Sequence, residues 1–199
     1  MGKSVFLGCL VAVLVGVLIV GGLAVGAYNR LNTADQAVNG SWADVENNYQ
    51  RRADLVPNLV ETVKGAAAFE KSTLEAVVQA RASATQVRLD ANAIKDPEAF
   101  ARFQQAQDGL SSALSRLLVT VEKYPELKAN QNFRDLQVQL EGTENRIAVS
   151  RNRFNEATQA YNTLRKSFPT VIVASFAGFK ERPYFKSAAG AERAPAVKF

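Results

Sequence analysis

The chain has 199 residues, 47% of them hydrophobic, and carries 24 basic against 19 acidic side chains, a net charge of +5. It has no histidine and a single cysteine. That removes the commonest general base and zinc ligand, the Ser-His and Cys-His nucleophile pairs, and any intrachain disulfide. With Lys3 and the last 20 residues set aside, positions 4–179 hold 18 basic and 17 acidic residues, a balance that lacks the basic stripe of a nucleic-acid-binding domain.

The first predicted element is a membrane anchor over residues 1–29. Val5 to Ala27 is almost wholly apolar, flanked by Lys3 and Arg30. At ~1.5 Å per residue these 23 residues form a helix of roughly 34 Å, enough to cross a ~30 Å hydrocarbon core. The run is longer than the apolar region of a cleaved secretory signal, so the reading is a retained span. Cleavage near Ala27 or Tyr28 is the alternative. Phe6-Leu7-Gly8-Cys9 loosely resembles a lipidation box, but too few residues separate Lys3 from Cys9 for an apolar signal region, and Cys9 reads as one more member of the span. Ser4, Gly8, Ala12 and Gly16 recur every four residues, and Gly22 and Gly26 add a GxxxG. Such a face lets two helix backbones approach in lipid, so self-association through Gly8, Gly16, Gly22 and Gly26 is an expectation. The amino group and Lys3 precede the span, whereas Arg30 alone is followed by Asp35, Asp44 and Glu46. The positive-inside bias therefore puts the following domain on the non-cytoplasmic side of the cell (inner) membrane, as a single-pass protein.

Residues 30–179 read as an all-α, antiparallel bundle of long helices. Leu31, Val38, Trp42, Val45 and Tyr49 mark one apolar face, and Leu55, Val56, Leu59, Val60 and Val63 begin another, continued by Leu74, Val77 and Val78. Pro57 is costly inside a helix but cheap in a first turn, Asp54 is a capable N-cap, and Asn58 to Glu61 has cap-like spacing. The pattern predicts a break at 52–57 and four helices. A bundle of three, the first kinked at Pro57, is the competing arrangement.

A third segment runs from Asp96, an N-cap before Pro97, to Tyr124, before Pro125. Phe100, Phe103, Gln107, Leu110, Leu114, Leu117, Val121 and Tyr124 repeat in steps of three and four, the rhythm of a coiled-coil seam. Gln107 is its one strongly polar member, accounted for by a buried partner or, more simply, by a seam rotated onto Ala106. The last long helix, Asn132 to Phe168, keeps the rhythm through Phe133, Leu136, Leu140, Thr143, Ile147, Ser150, Phe154, Ala157, Tyr161, Leu164 and Phe168. Val171 to Phe179 forms a short apolar helix that plugs one end of the bundle or touches the membrane, ended by Gly178. Residues 180–199 are a basic, disordered tail.

These segments together resemble the LemA family of membrane-anchored bacterial proteins. The likeness rests on Tyr28-Asn29, on Gln50 to Val60, on Leu140 to Ile147 with Phe154-Asn155 and Tyr161-Asn162, and on Phe168-Pro169 with Gly178-Phe179. The resemblance implies an N-terminal span, a helical bundle and no established enzymatic activity. Its motifs single out Arg51, Arg52, Asp54, Asn58, Glu141, Glu144, Asn145, Arg146 and Asn155 as an inter-helix network or an interaction surface.

No cofactor or metal site is expected. Glu141-x-x-Glu144 lacks the histidine that a di-iron bundle needs. The favoured reading is a non-catalytic interaction or membrane-organising module, its partners the lipid bilayer and a further protein. The competing reading is an enzyme using carboxylates and arginine around Asp54, Glu141 and Arg146.

Overall fold

The computed structural model describes residues 2–65, 70–87 and 93–186, with side chains from residue 6 onward. Ser4 of the small-residue stripe and the tail from residue 187 therefore fall outside the described side chains. Among the described residues the fold is all-helical. Helix α1 spans Gly2–Lys64, α2 Lys71–Gln86, α3 Pro97–Val121, α4 Pro125–Ala129, α5 Gln131–Lys166 and α6 Thr170–Phe176, with a 3-10 turn at Ala93–Lys95.

The apolar N-terminal segment, expected to be the anchor, and the first bundle helix are one continuous rod of 63 residues. Every large apolar side chain from Phe6 to Val25 is exposed, and the helix is long and apolar enough there to cross a membrane. From Leu31 onward the same helix turns its apolar stripe into the bundle, burying Leu31, Val38, Trp42, Val45, Tyr49, Val56, Leu59, Val60 and Val63.

The break expected at 52–57 does not occur: α1 continues through Pro57 to Lys64. Proline lacks the N–H that would satisfy the carbonyl four residues back, here that of Ala53. The Arg81 side chain of α2 supplies the missing donor, Nε to the Ala53 oxygen at 2.8 Å. The expected caps are spent otherwise. Asp54 accepts from the Gln50 side chain at 2.8 Å, and Glu61 pairs with Lys64 at 2.7 Å. The helix ends where Gly65 follows Lys64, a residue type suited to the position after a helix.

The expectation for α3 holds as far as Val121, where the helix ends about one turn short of Tyr124, which stands at the start of α4 instead. Asp96 caps α3, its carboxylate accepting from the Glu98 N–H at 2.9 Å, and Phe100, Phe103, Gln107, Leu110, Leu114, Leu117 and Val121 all face inward. In α5, capped by Asn130, Thr158 is buried where Ala157 was expected. Phe168 lies beyond the helix end and is 82% exposed. Val78 of α2 likewise faces solvent.

Helices α1, α2, α3 and α5 alternate in direction, and α1 and α5 form the most extensive pair. The core has two parts. An aromatic half near the anchor gathers Trp42, Tyr49, Phe100, Phe103, Phe154, Tyr161 and Phe185. An aliphatic half at the far end gathers Val56, Leu59, Val63, Leu110, Leu117 and Leu140. Along α1, α3 and α5 the boundary falls at Arg52, Gln107 and Thr143-Glu144.

Helix α6 closes the anchor-proximal end, packed against α1 and α5. It ends at Gly178 with φ +75°, and the Phe179 N–H reaches back to the Ala174 carbonyl at 3.0 Å, a glycine stop that satisfies an otherwise orphaned carbonyl. The tail does not begin as disordered chain. Residues 180–186 return along the bundle as an extended strap that buries Arg182 and Phe185. The rest of the tail, 187–199, lies outside the described residues.

Candidate functional site

The polar chemistry of the bundle is built around three arginines. Arg52 is fully buried at the boundary of the two core halves. Its Nη1 donates to Ser111 Oγ at 2.6 Å and to Glu144 Oε1 at 2.8 Å. Its Nη2 donates to the Gln107 backbone oxygen at 3.1 Å and to Gln107 Oε1 at 2.7 Å. Gln107 in turn donates to the Ala84 carbonyl at 3.1 Å. This ties α1, α2, α3 and α5 at one level. The odd polar member of the α3 seam is thus explained by a buried partner; the rotation onto Ala106 is not what happens.

About two turns beyond Glu144 along α5, Arg151 bridges Asp108 and Tyr49, the latter one turn before Arg52 on α1. Its Nε donates to the Tyr49 hydroxyl at 2.5 Å and its Nη2 to Asp108 at 2.9 Å. The guanidinium also lies over the Phe185 ring, 5.0 Å from its centroid, a favourable cation–π placement. Burial raises the Tyr49 pKa above its ordinary value, with the Arg151 charge opposing the rise. Burial disfavours the charged form of Arg151, but Tyr49 and Asp108 outweigh it and raise its pKa.

The third arginine, Arg182, belongs to the strap and is 1% exposed. Its Nη2 donates to Asp35 Oδ1 at 2.6 Å and to Asn39 Oδ1 at 3.1 Å. Tyr161 beside it donates to the Lys180 carbonyl at 2.8 Å. Burial and then the Asp35 charge raise the Tyr161 pKa. A buried guanidinium held this closely by a carboxylate fixes register between segments far apart in the chain.

Three side-chain amides fasten the strap's backbone by two-point pairing, as a neighbouring strand would. Asn162 donates to the Arg182 carbonyl at 2.9 Å and accepts its N–H at 3.0 Å. Asn155 does the same with Phe185 at 3.0 and 2.9 Å, and Gln104 with Lys186 at 2.9 and 3.3 Å. An extended segment against helices has no ladder partner, so these amides satisfy backbone groups that would otherwise be orphaned.

Of the residues singled out by the sequence, Arg52 and Glu144 meet, and Asn155 holds the strap. Arg51, Asp54, Asn58, Glu141, Asn145 and Arg146 are exposed. Asp54, Glu141 and Arg146 do not come together. Asp54 is engaged by Gln50, Glu141 by Gln137, and Arg146 by the carbonyl of Gly142, each within its own helix. Asp35, Asn39, Tyr49, Gln104, Asp108, Arg151, Asn162 and Arg182 were not singled out. Of these, Asn162 stood within a quoted motif and Tyr49 on the apolar face of the first bundle helix; the polar partners of the rest lie on distant segments, which no local pattern reveals.

Among the described residues no three acidic or cysteine side chains cluster as metal ligands would. The cleft beside Trp42, lined also by Glu46, Gln50 and Gln107, encloses about 200 Å³, while two open clefts of about 740 Å³ each, one along the strap at Gln104, Asp108 and Tyr184 and one near the start of the bundle at Tyr28, Asp35 and Tyr161, fall within the ~300–1,000 Å³ of small-molecule sites. The three arginines and the strap amides order the helices and fix the strap against them.

The chain is similar to the magnetosome protein MamQ of Magnetospirillum gryphiswaldense, 28% identical over 174 residues, covering 79% of this chain and 64% of the relative. Magnetosome proteins MamQ 1 and MamQ 2 of Paramagnetospirillum magneticum are each 27% identical over 175 residues, with 80% and 64% coverage. The chain thus spans just under two thirds of the length of these relatives. The profile of the LemA family matches residues 41–199, the greater part of the bundle with its two arginine-bearing motifs. The chain belongs to the LemA family.

Proposed function

We propose that this protein is a single-pass anchor carrying a rigid, non-catalytic bundle that presents a binding surface beside a membrane, with the bundle on the non-cytoplasmic side. The observation that carries the reading is the continuity of α1. One helix serves as apolar span and as central bundle strut, so the bundle is held at a fixed height above the lipid. The surface is the set of exposed motif residues at the level of the Arg52–Glu144 pair: Arg51, Asp54 and Asn58 on α1, and Glu141, Asn145 and Arg146 on α5. The buried arginines keep those two helices in register, and the exposed side chains are left for a protein partner. Likeness to magnetosome proteins supports membrane organisation over catalysis.

The test is crosslinking in living cells from photoreactive residues at positions 141 and 145, read by mass spectrometry. Recovery of a defined partner, lost on Arg146→Glu with the helical content unchanged, is the expected result. Recovery of nothing but the protein itself ends the partner reading. Sidedness is read separately, by protease protection of the bundle in oriented vesicles.

A further inference from the structure

The anchor-proximal end of the bundle carries an apolar surface that the core does not use. Phe168 is 82% exposed, Phe176 91%, Ile172 50% and Val171 37%. All four lie on the turnaround formed by the end of α5, the cis Phe168–Pro169 peptide and α6. The opposite side of α6 is committed, with Thr170 and Ala174 buried.

The height of this surface follows from the helix register. Because α1 and α5 are antiparallel, each residue further along α5 lies level with one further back along α1. From the Arg52–Glu144 pair, about 24 residues on along α5 reach Phe168 and about 24 back along α1 reach Tyr28. The contacts agree. Phe179, just past α6, packs edge-on against Tyr28 with ring centroids 5.6 Å apart, and Ala27 is buried while its span neighbours are exposed. Tyr28 follows directly on the apolar run of the anchor, which ends at Ala27. The exposed Phe168, Val171, Ile172 and Phe176 are therefore level with the place where α1 leaves the hydrocarbon. Exposed basic side chains stand nearby in Arg30 and Lys180, suited to lipid phosphates above apolar groups that enter the acyl boundary, while Lys166 is paired with Glu181 at 2.8 Å.

We propose that residues 168–176 form a lipid-embedded foot, through which the bundle contacts the same bilayer that its anchor crosses. This rests on the membrane anchor proposed above. The occupant of the surface is the membrane interface, because the face is continuous with the span and lies level with its exit. A clustered apolar surface of this kind is stabilised by leaving water, and a short helix with one apolar side lies in the interface plane. The foot gives the protein a second point of contact, set beside the span.

The test uses the full chain with Cys9→Ser, so that single introduced cysteines carry the only label. An environment-sensitive fluorophore is placed by Leu14→Cys in the span, Ile172→Cys in the foot, or Val119→Cys at the far end of the bundle. Each is reconstituted into phosphatidylethanolamine–phosphatidylglycerol vesicles containing spin-labelled lipid. Shallow spin labels are expected to quench the label at 172 by about twofold or more, as for a group at the headgroup–acyl boundary, deep ones to quench that at 14, and neither to quench that at 119. Adding Phe168→Ser and Phe176→Ser should abolish quenching at 172 and leave 14 unchanged. If 172 behaves like 119 while 14 is quenched, the foot is refuted and the anchor stands. If 14 is unquenched as well, the anchor itself is refuted. A disulfide between two copies at position 172 would assign the face to a second copy and overturn the lipid reading.

Discussion

The passage of α1 through Pro57 makes a sharp energetic prediction. The carbonyl of Ala53, a residue only 4% exposed, has lost its helical donor to the proline ring and takes the Arg81 Nε–H at 2.8 Å. Arg81→Met keeps most of the stem and removes the donor. A buried carbonyl left unpaired costs about 1–3 kcal/mol, so Arg81→Met should destabilise the bundle by that amount. In a Pro57→Ala background the new N–H at position 57 serves Ala53 as in any helix, and Arg81→Met should then cost less than about 0.5 kcal/mol. The coupling between the two positions is thus about 1–2 kcal/mol, within the range seen for contacting residues. The chain has one tryptophan, and Trp42 is packed among Phe100, Phe103, Phe154 and Phe185. Its fluorescence therefore reports bundle unfolding in urea, in detergent, without interference from the span. With a slope of about 1–3 kcal/mol per molar urea, the expected midpoint shift is about 0.3–3 M. An equal cost of Arg81→Met in both backgrounds would falsify the account of how the helix survives its proline.

Glu144→Ala leaves the Arg52 charge buried against neutral partners and should cost about 3 kcal/mol, whereas adding Arg52→Met to it should restore stability by removing the stranded charge; the same urea assay decides, and a further loss would refute it. Tyr49 and Tyr161 have pKa values raised by burial, so the folded state favours their protonated forms. That contribution is complete below the ordinary value of 10.0 and is lost as pH rises through the folded values. Ultraviolet titration should show a late tyrosinate component that disappears in the Tyr49→Phe, Tyr161→Phe double variant; its persistence there would assign it elsewhere. Phe185→Ala should cost about 3–5 kcal/mol as a buried aromatic truncation, read as a fall in the urea midpoint. Gly16 and Gly22 meet nothing within their own chain, so replacing both with isoleucine should lower energy transfer between labelled copies in a bilayer. Equal transfer before and after would dismiss self-association through that face.

What the sequence revealed and what it hid divide along a physical line. The apolar N-terminal helix, the Asp96 cap and the α3 and α5 seams are local patterns, set by period and by residues within one turn, and the structure has them where the pattern put them, Ala157 and Phe168 of the α5 seam excepted. The error at Pro57 arose because the proline penalty is local while its remedy, Arg81, is 28 residues away. The tail was misread for the same reason. The composition of residues 180–186 suggests disorder, but Arg182 finds Asp35 across 147 residues of chain, and Asn155 and Asn162 hold the backbone. Resemblance to the family marked Arg52, Glu144 and Asn155, yet could not say which members of the set turn inward. Burial separates them: Arg52 carries the core layer, while Arg51 beside it faces out.

The unbroken α1 has a mechanical consequence. No loop separates span from bundle, so α1 beyond Tyr28, stiffened by α5 along its side, acts as a lever arm of about 55 Å at ~1.5 Å per residue. A change of about 10° in the tilt of the span, as follows when a helix adjusts to a different bilayer thickness, sweeps the far tip through roughly 10 Å. In the single-pass arrangement proposed above, the sideways position of that tip then follows membrane thickness, while its height over the lipid changes far less.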